Sequence, residues 1–162
     1  MLRLIPAPLH RTLYRIADRV RRRWWAIAKP QRRSVSVIAV DAQGRVLLVR
    51  HSYGRAEWTL PGGGISRRED ALAAAVREFR EELGCPLADV WPLAQEHEVV
   101  SGALDLQHVF AARLAGTPMP DMREVEDAQT FDPLALPPAT GRIAAARIAA
   151  WRERAGSPER GA

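Results

Sequence analysis

Three consecutive glycines, Gly62-Gly63-Gly64, stand directly behind a short apolar strand signal and ahead of a segment with strong helix signals. Trp58-Thr59-Leu60 reads as the strand, and Pro61 stops it. Asp70 is placed as an N-cap, the stretch 71–75 is alanine-rich, and Gly84 suits the left-handed residue that ends a helix. The spacing predicts a helix over 70–83, with Leu72, Val76, Phe79 and Leu83 as its buried stripe. A strand must then pass into a helix through glycine. Such a connection lets backbone amides and carbonyls come close to a metal or a phosphate.

The helix carries Glu78, Glu81 and Glu82. Steps of three and four residues put their Cβ atoms about 5–6 Å apart on one face. Like charges at that spacing repel, and a hard divalent cation would turn repulsion into attraction through carboxylate oxygens. Arg77 and Glu81 form an i, i+4 pair that neutralises one flank. Taken alone, the same residues also fit a solvated helix laced with salt bridges.

Around this centre the chain reads as a mixed domain. Residues 34–50 form a β-hairpin turned at Asp41-Ala42-Gln43-Gly44, with Gly44 suited to positive φ. Further strands are predicted at 97–101, 106–114 and 125–131, with a proline-containing loop at 116–124 and a second helix near 139–154. Residues 9–28 read as an amphipathic helix, in which Leu9, Leu13, Ile16, Val20 and Trp24 recur at helical steps and Pro30 ends the run. The predicted organisation is a basic segment at 1–33, a folded domain at 34–155 and a flexible tail at 156–162.

Charge divides the chain along the same line. Ten Arg/Lys and a single acid, Asp18, fall in residues 1–33, whereas the remainder holds 14 bases and 18 acids. The net charge of +5 therefore describes an acidic domain behind a basic segment, and does not argue for a core that binds specific nucleic acid. The basic helix packs on the domain, lies on an anionic membrane, or mediates homodimerisation. Its scarcity of Ser and Thr weakens a transit-peptide reading. Cys85 is the lone cysteine, so no intrachain disulfide forms; with no long apolar span, a cytoplasmic location is expected. His97 and His108 lack zinc-ligand spacing, and Cys85 has no neighbouring base to activate it.

Residues 63–85 resemble the Nudix box, G-x5-E-x7-R-E-U-x-E-E-x-G-U, where U is bulky and apolar. Gly63, Glu69 and the run Arg77-Glu78-Phe79-Arg80-Glu81-Glu82-Leu83-Gly84-Cys85 match all seven fixed positions. The wider similarity covers about 34–137. The resemblance implies an α/β/α sandwich around a mixed sheet, here with an added N-terminal amphipathic helix. It implies hydrolysis of a diphosphate linkage in a nucleoside diphosphate derivative, with Mg²⁺ or Mn²⁺.

By the same resemblance Glu81 and Glu82 are the principal metal ligands, and Glu78 is a further ligand or the base. Arg77 pairs with Glu69 to fix the loop. The Gly63 carbonyl is a further metal ligand, Gly84 closes the helix, and Glu124 is a second candidate for the base. Arg50, His51 and Arg55 are candidates for phosphate or base contacts, each also readable as a surface residue. Trp58 fits core packing better than base stacking. The sequence departs from the pattern at Arg68, where glycine is common, at Thr130, where tryptophan is frequent, and at Phe79 and Cys85, the U positions. Arg68 either changes the loop's backbone angles, contacts phosphate or is simply solvated. A non-catalytic nucleotide-binding module, or a membrane-associated interaction module, is the alternative.

Overall fold

The computed structural model describes residues 31–52, 56–100 and 102–156. The helix expected at 9–28 and the candidate Arg55 lie outside the described residues. Six strands, β1 (Arg32–Val40), β2 (Val46–His51), β3 (Trp58–Thr59), β4 (Leu87–Val100), β5 (Ala103–Leu114) and β6 (Val125–Phe131), form one sheet. The helices are α1 (Ala71–Leu83) and α2 (Arg142–Gly156). Strand order is β3-β2-β1-β5-β4, with β6 also paired to β2. Strands β1 and β5 run parallel and the other pairs are antiparallel, so the sheet is mixed.

Alternation along the strands sends side chains to two faces. Val35, Val37 and Ala39 of β1, with Phe110 and Ala112 of β5, pack under α1. Ile38 of β1, Val46 and Leu48 of β2 and Val109 of β5 pack under Ala144 and Ile148 of α2. The result is the expected α/β/α layering. Trp58 is buried edge-on against Phe131 at 5.0 Å between ring centres, a core position as expected. No helix among the described residues is long and apolar enough to cross a membrane.

The positions of two expected features shift. The first strand of the antiparallel pair β4–β5 begins at Leu87, not at 97. Its ladder is irregular near Pro92, which has no N–H to offer, and Asp89 has φ 47, so the period-2 signal is broken there. In α1, Leu72 and Val76 are exposed, and the buried face is Ala71, Ala74, Ala75, Phe79, Glu82 and Leu83. The helix is rotated from the predicted stripe. Small alanines then meet the sheet closely, and Glu82 is carried inward.

The sheet opens where the glycine loop lies. Strand β1 meets β2 only at the hairpin base, through Val40 and Val46. Beyond that point it takes the loop as its partner: Val37 N–H donates to Pro61 O, Val35 N–H to Gly63 O and Ile65 N–H to Arg33 O, each at 2.9 Å. The split between β1 and β2 creates a cleft of about 800 Å³.

Candidate active site

Both ends of α1 are fixed by local chemistry. The Asp70 carboxylate accepts from Leu72 N–H at 2.9 Å and Ala73 N–H at 3.1 Å, satisfying first-turn donors. Gly84 takes φ 60, and its N–H donates to Arg80 O at 2.9 Å. With the helix pinned, Glu78, Glu81 and Glu82 line the cleft, beside Gly62, Gly63 and Gly64.

Arg77 joins loop to helix. Its Nε and Nη2 donate to the two Glu69 oxygens at 2.8 and 2.9 Å, a bidentate pair. Nη2 also donates to Gly64 O at 3.0 Å, while Nη1 donates to Glu78 at 2.8 Å and Glu81 at 3.2 Å. Hydrogen bonds from Arg77, then from the Ser66 N–H, hold the Glu69 carboxyl down at about 2.

Glu82 is 4% exposed and accepts the Gly62 N–H at 3.2 Å. Burial pushes its carboxyl well above the ordinary carboxylate range, and Glu78, Glu124 and Asp121 add like charge. Burial also raises Glu78, with Arg77 opposing and Glu81 and Glu124 reinforcing the shift. Glu124 thus acts on both helix carboxylates, and it lines the same cleft. Gly63 lies close against Glu78: a Cβ there would overlap the Glu78 carboxylate as it is placed.

The 116–124 loop reaches this point through Asp121, which the sequence reading did not single out. Its N–H donates to Glu82 O at 2.9 Å. Its Oδ1 accepts from the N–H groups of Arg123, Glu124 and Val125 at 2.9, 3.0 and 2.9 Å. An aspartate two to four residues ahead of the donors it caps is the available sequence signal.

The remaining candidates separate. His51 lines the cleft. Arg50 is not among the lining residues; it pairs with Glu126 and Asp127, each at 3.3 Å, and lies 5.4 Å from the centre of the Trp58 ring. The Gly63 carbonyl is pinned to β1, accepting from Val35 N–H at 2.9 Å. Arg68 is exposed and takes φ 70, a left-handed backbone angle that favours glycine.

Do these residues suit a divalent cation? Among the described residues, no three His, Cys, Asp or Glu side chains close round a single point. Glu78 and Glu81 are instead drawn to Arg77. The donor chemistry nevertheless fits: hard carboxylate oxygens, one of them on a buried glutamate ringed by like charges.

A NUDIX domain model matches residues 30–152. The chain belongs to the Nudix family. The curated relatives align over part of the chain: an RNA pyrophosphohydrolase of Teredinibacter turnerae is 43% identical over 63 residues, 39% of this chain and 37% of that protein. An ADP-ribose pyrophosphatase of Mycobacterium tuberculosis is 34% identical over 76 residues, 44% of this chain and 36% of that protein. The aligned part is thus little more than a third of each relative's length. Among solved structures, a MutT Nudix hydrolase from Burkholderia pseudomallei superposes with TM-score 0.67 at 24% identity, over 74% of this chain and 96% of that one. The Nudix domain of Shewanella oneidensis NrtR, complexed with ADP ribose, superposes with TM-score 0.67 at 20% identity, over 78% and 90%. These likenesses place the Nudix box on a Nudix fold.

Proposed function

We propose that the chain hydrolyses a diphosphate linkage in a nucleoside diphosphate derivative with Mg²⁺ or Mn²⁺. The observation that carries this reading is the buried Glu82, flanked by Glu78, Glu124 and Asp121 beneath a glycine loop. Folding like charges together this way is costly unless a cation joins them. Glu81 and Glu82 would be its principal ligands, with Glu78 and the Gly63 carbonyl beside them.

A divalent cation held there would neutralise diphosphate oxygens and stabilise the leaving phosphate. The chain's own residues supply the rest. Glu78 or Glu124 takes the proton from the attacking water; burial makes Glu78 more basic than an ordinary carboxylate. Arg77 keeps Glu78 and the loop in register. His51, at the cleft wall, is placed for a phosphate contact. The names of the relatives support diphosphate chemistry and leave open what lies beyond the linkage.

A nucleotide-binding module without turnover is the second reading, favoured by the likeness to the NrtR domain with its ADP ribose. The intact row of box glutamates argues for the enzyme. The test is a panel of diphosphate compounds, including 5′-triphosphorylated RNA, ADP-ribose and nucleoside triphosphates, scored for released product with Mg²⁺ and with Mn²⁺. Product that disappears on chelation is expected. Binding without product for every compound would favour the second reading.

A further inference from the structure

One face of the sheet changes character along its length. Under α2 it is apolar, with Ile38 on β1 and Val109 on β5. Nearer the mouth of the cleft the same alternation delivers Ser34 and Ser36 on β1, and Asp105 and Gln107 on β5. Ser34, Ser36 and Asp105 are 4%, 6% and 1% exposed. A polar floor stands where a core would continue, and that is the pattern of a site rather than of packing.

The hydrogen bonds of this floor are almost complete. Ser34 Oγ donates to Asp105 Oδ2 at 2.5 Å. Gln107 Nε2 donates to Ser34 Oγ at 2.5 Å and to Asp105 Oδ2 at 3.2 Å. The carboxylate accepts only, so it fixes which end of the Gln107 amide faces it. The other end, Gln107 Oε1, and the other carboxylate oxygen, Asp105 Oδ1, are buried without a hydrogen-bond partner among the described residues. Each has given up water and gained no donor. Arg32, 3.9 Å from Asp105 Oδ2, supplies charge but lies beyond hydrogen-bond range.

We propose that Asp105 and Gln107 form a subsite that reads two neighbouring hydrogen-bond donors on the group beyond the diphosphate. This rests on the hydrolase reading for its substrate, since the cleft runs continuously from these residues to Glu78, Glu81 and Glu82. Both oxygens are buried, so a ligand reaches them when side chains lining the cleft, such as the half-buried Gln107 amide and the Arg32 guanidinium, move aside. Two groups carry the required donors: the N1–H and C2-amino edge of a guanine-type base, and the vicinal hydroxyls of a ribose.

The experiment measures binding by calorimetry with Mg²⁺, using non-hydrolysable α,β-methylene diphosphates of guanosine, inosine, xanthosine and 2′,3′-dideoxyguanosine. Loss of a read donor weakens binding on the order of tenfold. Inosine weaker than guanosine assigns the base edge; dideoxyguanosine weaker than guanosine assigns the ribose. Gln107→Met, at a half-buried position, removes that discrimination while keeping the melting temperature. Asp105→Asn puts an N–H₂ group where the free oxygen stood, and shifts preference toward an acceptor there, as xanthosine offers in place of guanosine's amine. Equal affinity across the four analogues, or no binding to any, overturns the subsite. Discrimination by a chain that hydrolyses nothing keeps the subsite and removes the hydrolase reading.

Discussion

The Glu82 carboxylate accepts the Gly62 N–H at 3.2 Å, so a residue at the end of α1 holds the loop that precedes the helix. The bond sets the distance between the glycine loop and the acidic face. It also seats a carboxylate in a buried site beside three other acids. Structure and charge are thus opposed at one residue, and that opposition can be measured.

Glu82→Gln keeps the shape and the acceptor for Gly62 N–H but removes the charge. The fold is expected to persist, with a melting temperature equal to or above that of the wild type in chelator. Turnover is expected to fall further than the roughly 10–100-fold typical when a residue behind a metal's ligands is lost. Wild-type turnover with saturating Mg²⁺ would remove Glu82 from the site.

The same conflict gives a pH signature. Burial holds the Glu82 and Glu78 carboxyls above the ordinary carboxylate range. The folded chain therefore retains protons that the unfolded chain has released, and its metal-free stability falls as pH rises from that ordinary range through the raised one. A cation binds the ionised form, so Mg²⁺ should raise the melting temperature more at pH 8 than at pH 5.5. A Mg²⁺ effect that is equal at both values, or larger at pH 5.5, would contradict this.

Arg77 gives the opposite sign through its partner. Glu69 sits at about 2 because Arg77 and the Ser66 N–H bond to its ionised form. Its contribution is complete above the ordinary carboxylate value and is lost as pH falls toward about 2. Arg77→Lys retains charge but not the fork that holds Glu69 with two bonds. The variant should flatten the acid side of the stability profile and lower turnover about 10–100-fold. Melting curves between pH 5 and 2, set beside kcat, check both effects.

How much of this was legible beforehand follows from the range over which each signal acts. Asp70, Gly84 and the glutamates of α1 announce themselves because capping and i, i+4 spacing are local. The rotation of α1 was not legible. It depends on which residues meet the sheet, and Ala71, Ala74 and Ala75 do so in place of Leu72 and Val76. Asp89 and Pro92 interrupt the alternation of strand β4, so its first half carries no period-2 signal. Asp105 pairs with Ser34 across 71 positions of sequence, a relationship that only the parallel register of β1 and β5 creates.

Arg68 departs from the glycine common at its place in the box, and the backbone supplies the reason for glycine there. It takes φ 70 at an exposed position. An L-residue in that region costs about 1–2 kcal/mol, while glycine costs about 0.5–1 kcal/mol in unfolded-state freedom. Arg68→Gly should therefore stabilise by up to about 1 kcal/mol without lowering turnover. A denaturant midpoint below that of the wild type, or a loss of activity, would show that the Arg68 side chain contributes more than its backbone costs.

Gly62 and Gly63 are adjacent, yet they should fail differently when given a Cβ. At Gly62, φ is 148, and the added atom would overlap the Val35 carbonyl and the Ser36 backbone. Neither can move without disturbing the pairing of β1 with the loop, so Gly62→Ala should cost at least about 2 kcal/mol in stability. At Gly63, φ lies outside the left-handed region, and the three atoms nearest the added one all belong to the Glu78 carboxylate, the end of a side chain. Glu78 can swing aside by breaking its 2.8 Å bond to Arg77 Nη1. Gly63→Ala should therefore melt within about 3 °C of the wild type, a shift of roughly 1 kcal/mol. Its turnover should nevertheless fall by about tenfold or more, because the displaced carboxylate is one of those placed to take the proton. Thermal melts and kcat on both variants separate the two roles, and a Gly63→Ala protein with unchanged turnover would mean that the position of Glu78 does not matter to the reaction.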